Sequence, residues 1–225
     1  MTDPPPGGAD QTRRALIDSG MKLFGAKGFA GTSTREIAGD ASTNIASIAY
    51  HFGSKDGLRR AIAEWIASTL RGVIDAAFAD GVRDIAAADP SERPAQARAA
   101  ISRAIGRMAE FLLASRMGAL IPRFVVREMA EPSAAFDVLY AGIFEPAHRR
   151  LCELFALATG GDPESEDTRL TVFALIGPLL YFRIGAPAVL RRMDWDAYGP
   201  EEVARVTAVI ARLVAARIEE KDTPT

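Results

Sequence analysis

Cysteine and histidine are scarce in this sequence of 225 residues, which holds one Cys and two His. The single cysteine, Cys152, cannot form an internal disulfide bond, which is typical of proteins kept in a reducing compartment. No Cys or second His stands at metal-ligand spacing from His51, so the pattern does not indicate a metal site. The sequence also has no Gly-rich phosphate loop and no nucleophile elbow, which disfavours the common classes of enzyme built on those motifs.

Long apolar runs are missing as well. No stretch is long enough to cross a membrane, and no basic start followed by an apolar core suggests a secretory signal. The apolar fraction of 48% and the charged fraction of 25% are ordinary for a globular protein. We therefore expect a cytoplasmic protein that has no membrane segment and no cofactor.

The stretch 32–55, TSTREIAGDASTNIASIAYHFGSK, predicts a helix, a tight turn and a second helix. Thr32 or Ser33 can cap the first helix through a side-chain oxygen, and Asn44 can cap the second. Ile48 and the phenylalanine four residues later would anchor the second helix to a core, while its opposite face is small or polar with one aromatic residue. Two such helices joined by a turn are typical of proteins that place a helix in the major groove of DNA.

Three motifs surround these helices: Phe-x-x-x-Gly-Phe at 24–29, Thr-Ser-x-x-x-Ile-Ala at 32–38 and Tyr-His-Phe-x-x-Lys at 50–55. With these motifs the segment resembles the DNA-binding domain of the TetR family of transcriptional regulators, without gaps over roughly fifty residues. Asn-Ile-Ala at 44–46 is similar to one subgroup of that family. The resemblance implies an all-α fold, a helix-turn-helix head and a larger helical body.

Two positions in the turn depart from the family pattern. Ser42 stands where the family usually has Gly, and Thr43 stands where it usually has Val. Since Gly accepts a left-handed backbone freely, we expect Ser42 to be held in a conformation that a side chain disfavours.

Charge is distributed unevenly along the chain. The segment 11–60 carries eight Lys or Arg against four Asp or Glu, whereas the remainder from Ala61 carries 19 against 23. A basic head on an acidic body is the asymmetry expected when only the head meets phosphate.

Helical periodicity continues to the end of the sequence, and no alternating run of strand length appears. Beyond the helix-turn-helix we expect a long helix from Ser54 to about Ala79, a polar loop at 87–94, and further helices near 95–114, 117–130, 133–159, 164–185, 187–192 and 200–220. The predicted division is a disordered tail at 1–9, a helix-turn-helix domain at 10–54 and an effector-binding and dimerisation domain at 55–225.

DNA binding would divide between phosphate contacts and base contacts. The candidates for phosphate contacts are Thr12, Arg13, Arg14, Ser33, Thr34, Tyr50, His51 and Lys55. The candidates for base contacts are Arg35, Ile45, Ala46 and Ser47. Arg can pair with both acceptors of guanine, and small apolar groups suit a thymine methyl. For Ile45 the alternative of core packing stays open, because it shares a helix face with Ile48.

The family resemblance implies a homodimer formed by the last two long helices. The candidate interface residues are Phe173, Gly177, Tyr181, Val206, Ile210 and Leu213. Apolar stripes of this kind also form the core within one chain, and the sequence does not divide the two uses. One short recognition helix reads few base pairs, so a symmetric dimer on a palindromic operator is the economical arrangement.

The resemblance also implies a pocket for a small-molecule effector in the middle helices. The candidate ligand-binding residues are Phe111, Met117, Phe124, Arg127, Phe136, Phe144, His148 and Phe182. Prolines at 122, 146 and 178 interrupt these helices and can leave a cavity by kinking them. An apolar cavity with few polar groups suits a largely apolar compound, although for any one of these residues ordinary core packing is the more common role.

Three functions fit these observations to different degrees. The first is a ligand-responsive transcriptional regulator, acting as a repressor that a small molecule releases from its operator. The second is an all-α carrier or enzyme that does not bind DNA. The third is an architectural DNA binder, which the modest basic excess of the head and the large body disfavour.

Overall fold

The computed structural model describes residues 8–222, which form eleven α-helices and contain no strand. The first four are α1 Gly8–Lys27, α2 Thr34–Asp40, α3 Ala46–Phe52 and α4 Lys55–Ala87. The next four are α5 Arg93–Ala109, α6 Arg116–Ala130, α7 Ala134–Leu139 and α8 Glu145–Thr159. The last three are α9 Glu166–Ile184, α10 Ala186–Met193 and α11 Pro200–Asp222. The all-α prediction is confirmed.

Local capping chemistry explains where the first helices begin. The Ser33 hydroxyl accepts the backbone N–H of Glu36, and the Glu36 carboxylate accepts the Ser33 N–H, which completes a capping box at α2. The Asn44 side chain accepts the N–H of Ala46 at 2.9 Å and so caps α3. Ser54 accepts the N–H of Gly57 at 3.0 Å at the start of α4.

The turn between α2 and α3 has the backbone that its sequence predicts. Ser42 has a φ of 53° and lies in the left-handed region, as expected for a position where glycine is usual. Thr43, its neighbour, has a buried hydroxyl with no hydrogen-bond partner among residues 8–222. The backbone of Ser42 and the hydroxyl of Thr43 therefore each lower the stability of the folded turn.

The fourth helix is longer than the predicted span, which ended near Ala79. It continues to Ala87 because its last turns pair with α5: Asp80 binds Arg107 and Asp84 binds Arg103. Gly81 permits the close approach, since a Cβ there would lie 2.4 Å from the Cβ of Ala100. Tertiary contacts thus override the weak helix propensity of glycine.

Two predicted helices are interrupted by π-helical turns. The span predicted at 95–114 is α5 followed by a π turn at Glu110–Ala114, and the span predicted at 133–159 is α7, a π turn at Tyr140–Phe144 and α8. The prolines at 122 and 178 lie inside α6 and α9, whereas the third lies in the first turn of α8, where its missing N–H costs little.

The chain forms two compact units that each contain two separate segments. Unit 1 comprises 8–69 and 120–142 of the described residues, and unit 2 comprises 70–119 and 143–222. This division lies elsewhere than the predicted boundary at 54/55, because the first half of α4 and most of α6 belong with the helix-turn-helix. The tail predicted at 1–9 lies outside the described residues except for its last two, which are helical in α1.

Each unit has its own apolar core. The largest fully buried side chains of unit 1 are Leu16, Ile17, Met21, Ile37, Leu58, Ile62, Ile66, Ile121, Phe124 and Leu139. In unit 2, Phe155 and Ile210 are the corresponding residues. No single helix of the described chain is long and apolar enough to cross a membrane, although the bent pair of α9 and α10 meets that length and composition together.

Candidate nucleic-acid interface

Several of the residues predicted to contact DNA are exposed on α3 or directly before it. Ile48 is 2% exposed and fixes the inner face of the helix, while Tyr50 is 82% exposed and Ile45 is 48% exposed. Ala46 also faces outward, and Ser47 is half-buried. The alternative that Ile45 belongs to the core is therefore wrong. An apolar and aromatic surface of this kind is unusual on a helix that only meets water.

Arg35 is an exposed cation on α2, the helix before α3. It lies in the first turn of α2 and is exposed, and no carboxylate pairs with it within residues 8–222. Two other cations of the head are neutralised: Lys22 pairs with Asp40 at 2.6 Å, and Lys27 pairs with Glu36 at 2.8 Å. Arg35 is thus available for a phosphate or a base edge.

The capping box of α2 also favours the ionised form of the Glu36 carboxylate. The hydrogen bond from Lys27, together with the bonds from Ser33, lowers the pKa of Glu36 from 4.5 to about 2. Likewise, hydrogen bonds from Lys22 and Ser19 lower the pKa of Asp40. Both carboxylates are therefore ionised at neutral pH and help to fix α2 beside α1.

The candidates on α1 are partly engaged with other groups. The Thr12 hydroxyl donates to the carbonyl of Gly8 at 2.9 Å, and Arg14 pairs with Asp18 while its guanidinium lies 4.1 Å from the Trp65 ring centre. The Arg13 guanidinium lies 5.5 Å from the ring centre of Phe52 on α3. Of these three, Arg13 has the most freedom to meet a phosphate.

Tyr50 and His51 form an aromatic pair at the end of α3. Their ring centres are 4.9 Å apart in an edge-on arrangement. No group of three metal-ligating side chains occurs in the described part of the chain, so His51 is not part of such a cluster. The Thr34 side chain is half-buried, and that of Ser33 is engaged by Glu36.

Lys55 has an internal partner that the sequence did not indicate. Its Nζ donates to the carbonyl of Phe29 at 2.6 Å and lies 4.1 Å from the centre of that ring. Two of its three N–H donors remain for a phosphate. Lys55 therefore holds the loop between α1 and α2 in addition to its predicted role.

The predicted ligand-binding residues divide between the two units. Phe124, Arg127 and Phe136 lie in unit 1, and Phe111, Met117, Phe144, His148 and Phe182 lie in unit 2. Two of the predictions need correction. Phe124 is 1% exposed in the core of unit 1, and Arg127 donates to the carbonyls of Gly25 and Ala26 at the end of α1.

His148 has partners inside unit 2. Its ring is stacked on Phe173 with centres 3.9 Å apart, and its Nε2 donates to the carbonyl of Arg169 at 3.1 Å. Nδ1 lies 3.6 Å from Sγ of Cys152, which is buried, and burial raises the pKa of that thiol. Hydrogen bonding and stacking thus account for this histidine without a ligand.

Some of the residues predicted to form the dimer interface are exposed, and others are buried within the single chain. Phe173 and Tyr181 on α9 and Leu213 on α11 are exposed, and a side chain at Gly177 would meet open space. Val206 and Ile210 are corrected to core residues, because each is at most 3% exposed within the single chain. Among these exposed residues, Leu213 lines a groove of about 470 Å³. The groove is lined by Leu170, Thr171, Ala174, Leu175, Pro178, Ile210, Leu213, Val214 and Arg217.

The structure brings together two residues that no motif in the sequence singles out. Arg59 on α4 and Glu128 on α6 form an ion pair of 2.6 Å, with Glu128 almost fully buried. They are 69 positions apart, so no motif or periodicity could have paired them. Buried glutamate is rare without a partner, but a sequence does not show which glutamate is buried.

Comparison with known proteins covers most of the chain. Residues 16–62 match the family described as "Bacterial regulatory proteins, tetR family", and residues 97–220 match the "HTH-type transcriptional dual regulator CecR, C-terminal domain". A relative from Shigella flexneri named "HTH-type transcriptional dual regulator CecR" is 33% identical over 201 residues, which are 89% of this chain and 88% of the relative.

Solved structures share the fold at low identity. A TetR-like transcriptional regulator from Rhodococcus sp. RHA1 has a TM-score of 0.59 and 19% identity, covering 96% of this chain and 99% of its own. AibR in complex with isovaleryl coenzyme A and operator DNA has a TM-score of 0.58 and 15% identity, covering 90% and 97%. The chain belongs to the TetR family of DNA-binding transcriptional regulators and is not an enzyme, and its C-terminal half belongs to the CecR C-terminal domain family.

Proposed function

We propose that this regulator binds a palindromic operator as a homodimer and that a small molecule releases it, so that it acts as a repressor. The observation that carries the proposal is the exposed apolar and aromatic surface at α3, together with the exposed Arg35 of α2. Tyr50 and Ile45 present large apolar surface there, and Arg35 adds an unpaired cation. A groove in DNA supplies phosphates for the cation and methyl and base edges for the apolar groups.

The dimer in this proposal forms through α9 and α11. Six large apolar side chains of these helices are exposed in the single chain: Leu170, Phe173, Tyr181, Ile184, Val209 and Leu213. Apolar patches of this kind usually mark an interaction site. A second copy brings an identical patch, and a two-fold axis lets each patch bury the other. The two recognition helices must then enter major grooves one DNA turn apart, about 34–36 Å.

The effector in this proposal binds among the half-buried aromatic residues of unit 2. Phe111, Met117, Phe144, His148 and Phe182 remain the candidates there, and Phe136 of unit 1 stays a prediction. The solved AibR complex, which shares only the fold, contains both a coenzyme A thioester and operator DNA. A largely apolar effector stays our expectation for this chain, because the candidate residues are mainly aromatic or aliphatic.

Operator binding is tested with DNA from upstream of the protein's own gene. Fluorescence anisotropy of the labelled fragment is measured with excess competitor DNA, next to a scrambled fragment of equal length and composition. We expect the protein to stay bound to the upstream fragment but not to the scrambled one, since specific binding is typically 10³–10⁷-fold tighter than non-specific binding. Equal binding of the protein to both fragments would contradict a sequence-specific regulator. A reporter assay should score both repression and activation, because the Shigella flexneri relative is named a dual regulator.

Release by an effector is tested by calorimetry. An effector found by screening is titrated into the free protein and into the operator complex. Linkage requires that operator DNA weaken effector binding by the same factor as the effector weakens DNA binding, typically about 5–150-fold. Equal affinities in the two titrations would remove the release mechanism and leave DNA binding intact.

A further inference from the structure

A buried carboxylate lies within unit 1, on a helix far from the helix-turn-helix in sequence. Glu128 on α6 is 2% exposed. Its two oxygens accept Nε and Nη2 of Arg59 on α4 at 2.6 and 3.0 Å, and the Ser133 hydroxyl donates to it at 2.8 Å. The carboxylate is therefore held by a two-pronged ion pair and one further hydrogen bond, which is a geometry that fixes orientation as well as distance.

The same arginine reaches the loop that leads into α2. The Arg59 guanidinium lies 4.7 Å from the ring centre of Phe29, and the Lys55 ammonium lies 4.1 Å from that centre. Lys55 also binds the Phe29 carbonyl, to which the N–H of Thr32 donates at 3.3 Å. Phe29 is thus held by two cations of α4, and Glu128 fixes one of them.

A second contact joins α6 to the end of α1, just before this loop. Arg127, next to Glu128, donates to the carbonyls of Gly25 and Ala26 in the last turn of α1, where carbonyls lack an intrahelical partner. Gly25 itself lies so close to α6 that a Cβ would be 3.1 Å from the Cβ of Arg123. The end of α1 and the first residues of the loop 28–32 are therefore held by side chains of both α4 and α6.

We propose that Glu128 is a positioning residue for DNA binding: through Arg59 it fixes Phe29, and thereby Lys55 and the start of α2 with Arg35. The inference rests on the DNA-binding face proposed above. A buried ion pair contributes little net stability compared with apolar residues of equal volume. Its two-pronged geometry instead selects one arrangement of the groups that it joins.

The test compares Glu128→Gln with Glu131→Gln in the full-length chain. Glu131 is exposed, and its backbone carbonyl rather than its carboxylate contacts Arg59. Operator affinity is measured by fluorescence anisotropy at several salt concentrations. For Glu128→Gln we expect at least about fivefold weaker binding and a salt slope reduced by about one unit, because Lys55 loses its position. Glu131→Gln should match the wild type.

A second destabilised variant shows whether Glu128→Gln weakens DNA binding only by lowering the stability of the fold. Leu154→Ala opens a cavity in the core of unit 2, on α8. Binding is measured at a temperature where circular dichroism shows every variant fully folded. The proposal is overturned if Glu128→Gln binds operator as the wild type does, or if Leu154→Ala reduces the salt slope equally. A wild type that shows no operator preference would instead contradict the proposed function.

Discussion

The ammonium of Lys55 on α4 lies 2.6 Å from the carbonyl oxygen of Phe29, in the loop between α1 and α2. Because the same ammonium lies over the Phe29 ring, Lys55 fastens the start of α4 to that loop. A cation so placed is pre-oriented, since its side chain loses little further freedom when a phosphate approaches. Lys55 therefore stabilises this loop, and in the proposed function it also binds a DNA phosphate.

Arg35 and Lys55 should respond differently to replacement by alanine. We expect Arg35→Ala to relax preference at one operator position, by about 1–3 kcal/mol, because an exposed Arg in the first turn of α2 can read a base. Lys55→Ala should weaken operator and random DNA alike, reduce the salt slope by about one unit and lower stability. Anisotropy titrations on both DNAs measure this, with Arg60→Ala, which is exposed and paired with Glu64, as the control. Equal weakening on both DNAs by Arg35→Ala would remove its base-reading role.

Leu213→Glu should shift the protein toward monomer. Leu213 is 53% exposed on α11 and lines the groove, so a second copy would bury the new charge without a partner. Arg212→Glu, at the exposed neighbouring position, is the control and should leave the dimer intact. Sedimentation velocity measures mass, and circular dichroism checks that helicity is kept. A stable Leu213→Glu dimer would place the interface elsewhere.

Ser42→Gly should stabilise the protein by about 0.5–1 kcal/mol. The left-handed backbone at Ser42 costs a residue with a Cβ roughly 1–2 kcal/mol, and the greater freedom of glycine in the unfolded chain offsets part of the gain. Ser42→Ala keeps the Cβ and should not stabilise. Urea unfolding of the three proteins distinguishes these outcomes, and equal midpoints for glycine and alanine would mean that the backbone is not strained.

Replacing either of two threonines of unit 1 by valine should change the free energy of unfolding, but in opposite directions. The buried hydroxyl of Thr43 has no partner within the described chain, so Thr43→Val should raise the free energy of unfolding by about 1 kcal/mol. The Thr32 hydroxyl is also buried but donates to the Gly28 carbonyl at 2.8 Å, so Thr32→Val should lower it by about 1 kcal/mol. A loss of stability in Thr43→Val would indicate a partner such as a bound water.

Acid should weaken the capping box of α2. Because the folded-state pKa of Glu36 is about 2 and its ordinary value is 4.5, its stabilising effect is complete above about pH 4.5 and is lost as the pH falls toward 2. Glu36→Gln removes that dependence. The difference in unfolding midpoint between wild type and Glu36→Gln should therefore shrink from pH 6 to pH 2.5. A difference that stays constant with pH would contradict the lowered pKa.

Some features of this protein follow from the sequence alone because their causes are local. Helical periodicity predicted the helices, and the caps at Ser33, Asn44 and Ser54 predicted where three of them begin, since a cap acts within three residues. The motifs at 24–55 indicated the TetR family, which the comparisons confirm. The strained Ser42 was also predictable, because its backbone is set by the turn itself.

Only the tertiary structure decided how distant segments pair. The extension of α4 depends on ion pairs with α5, and the position of α6 beside the helix-turn-helix depends on Arg59 and Glu128, which are 69 residues apart. Along α11, helical spacing marks Ile210 and Leu213 alike as apolar, yet the first is buried and the second exposed. Burial and charge pairing depend on which segments the folded chain brings together, and periodicity within one helix carries no information about its neighbours.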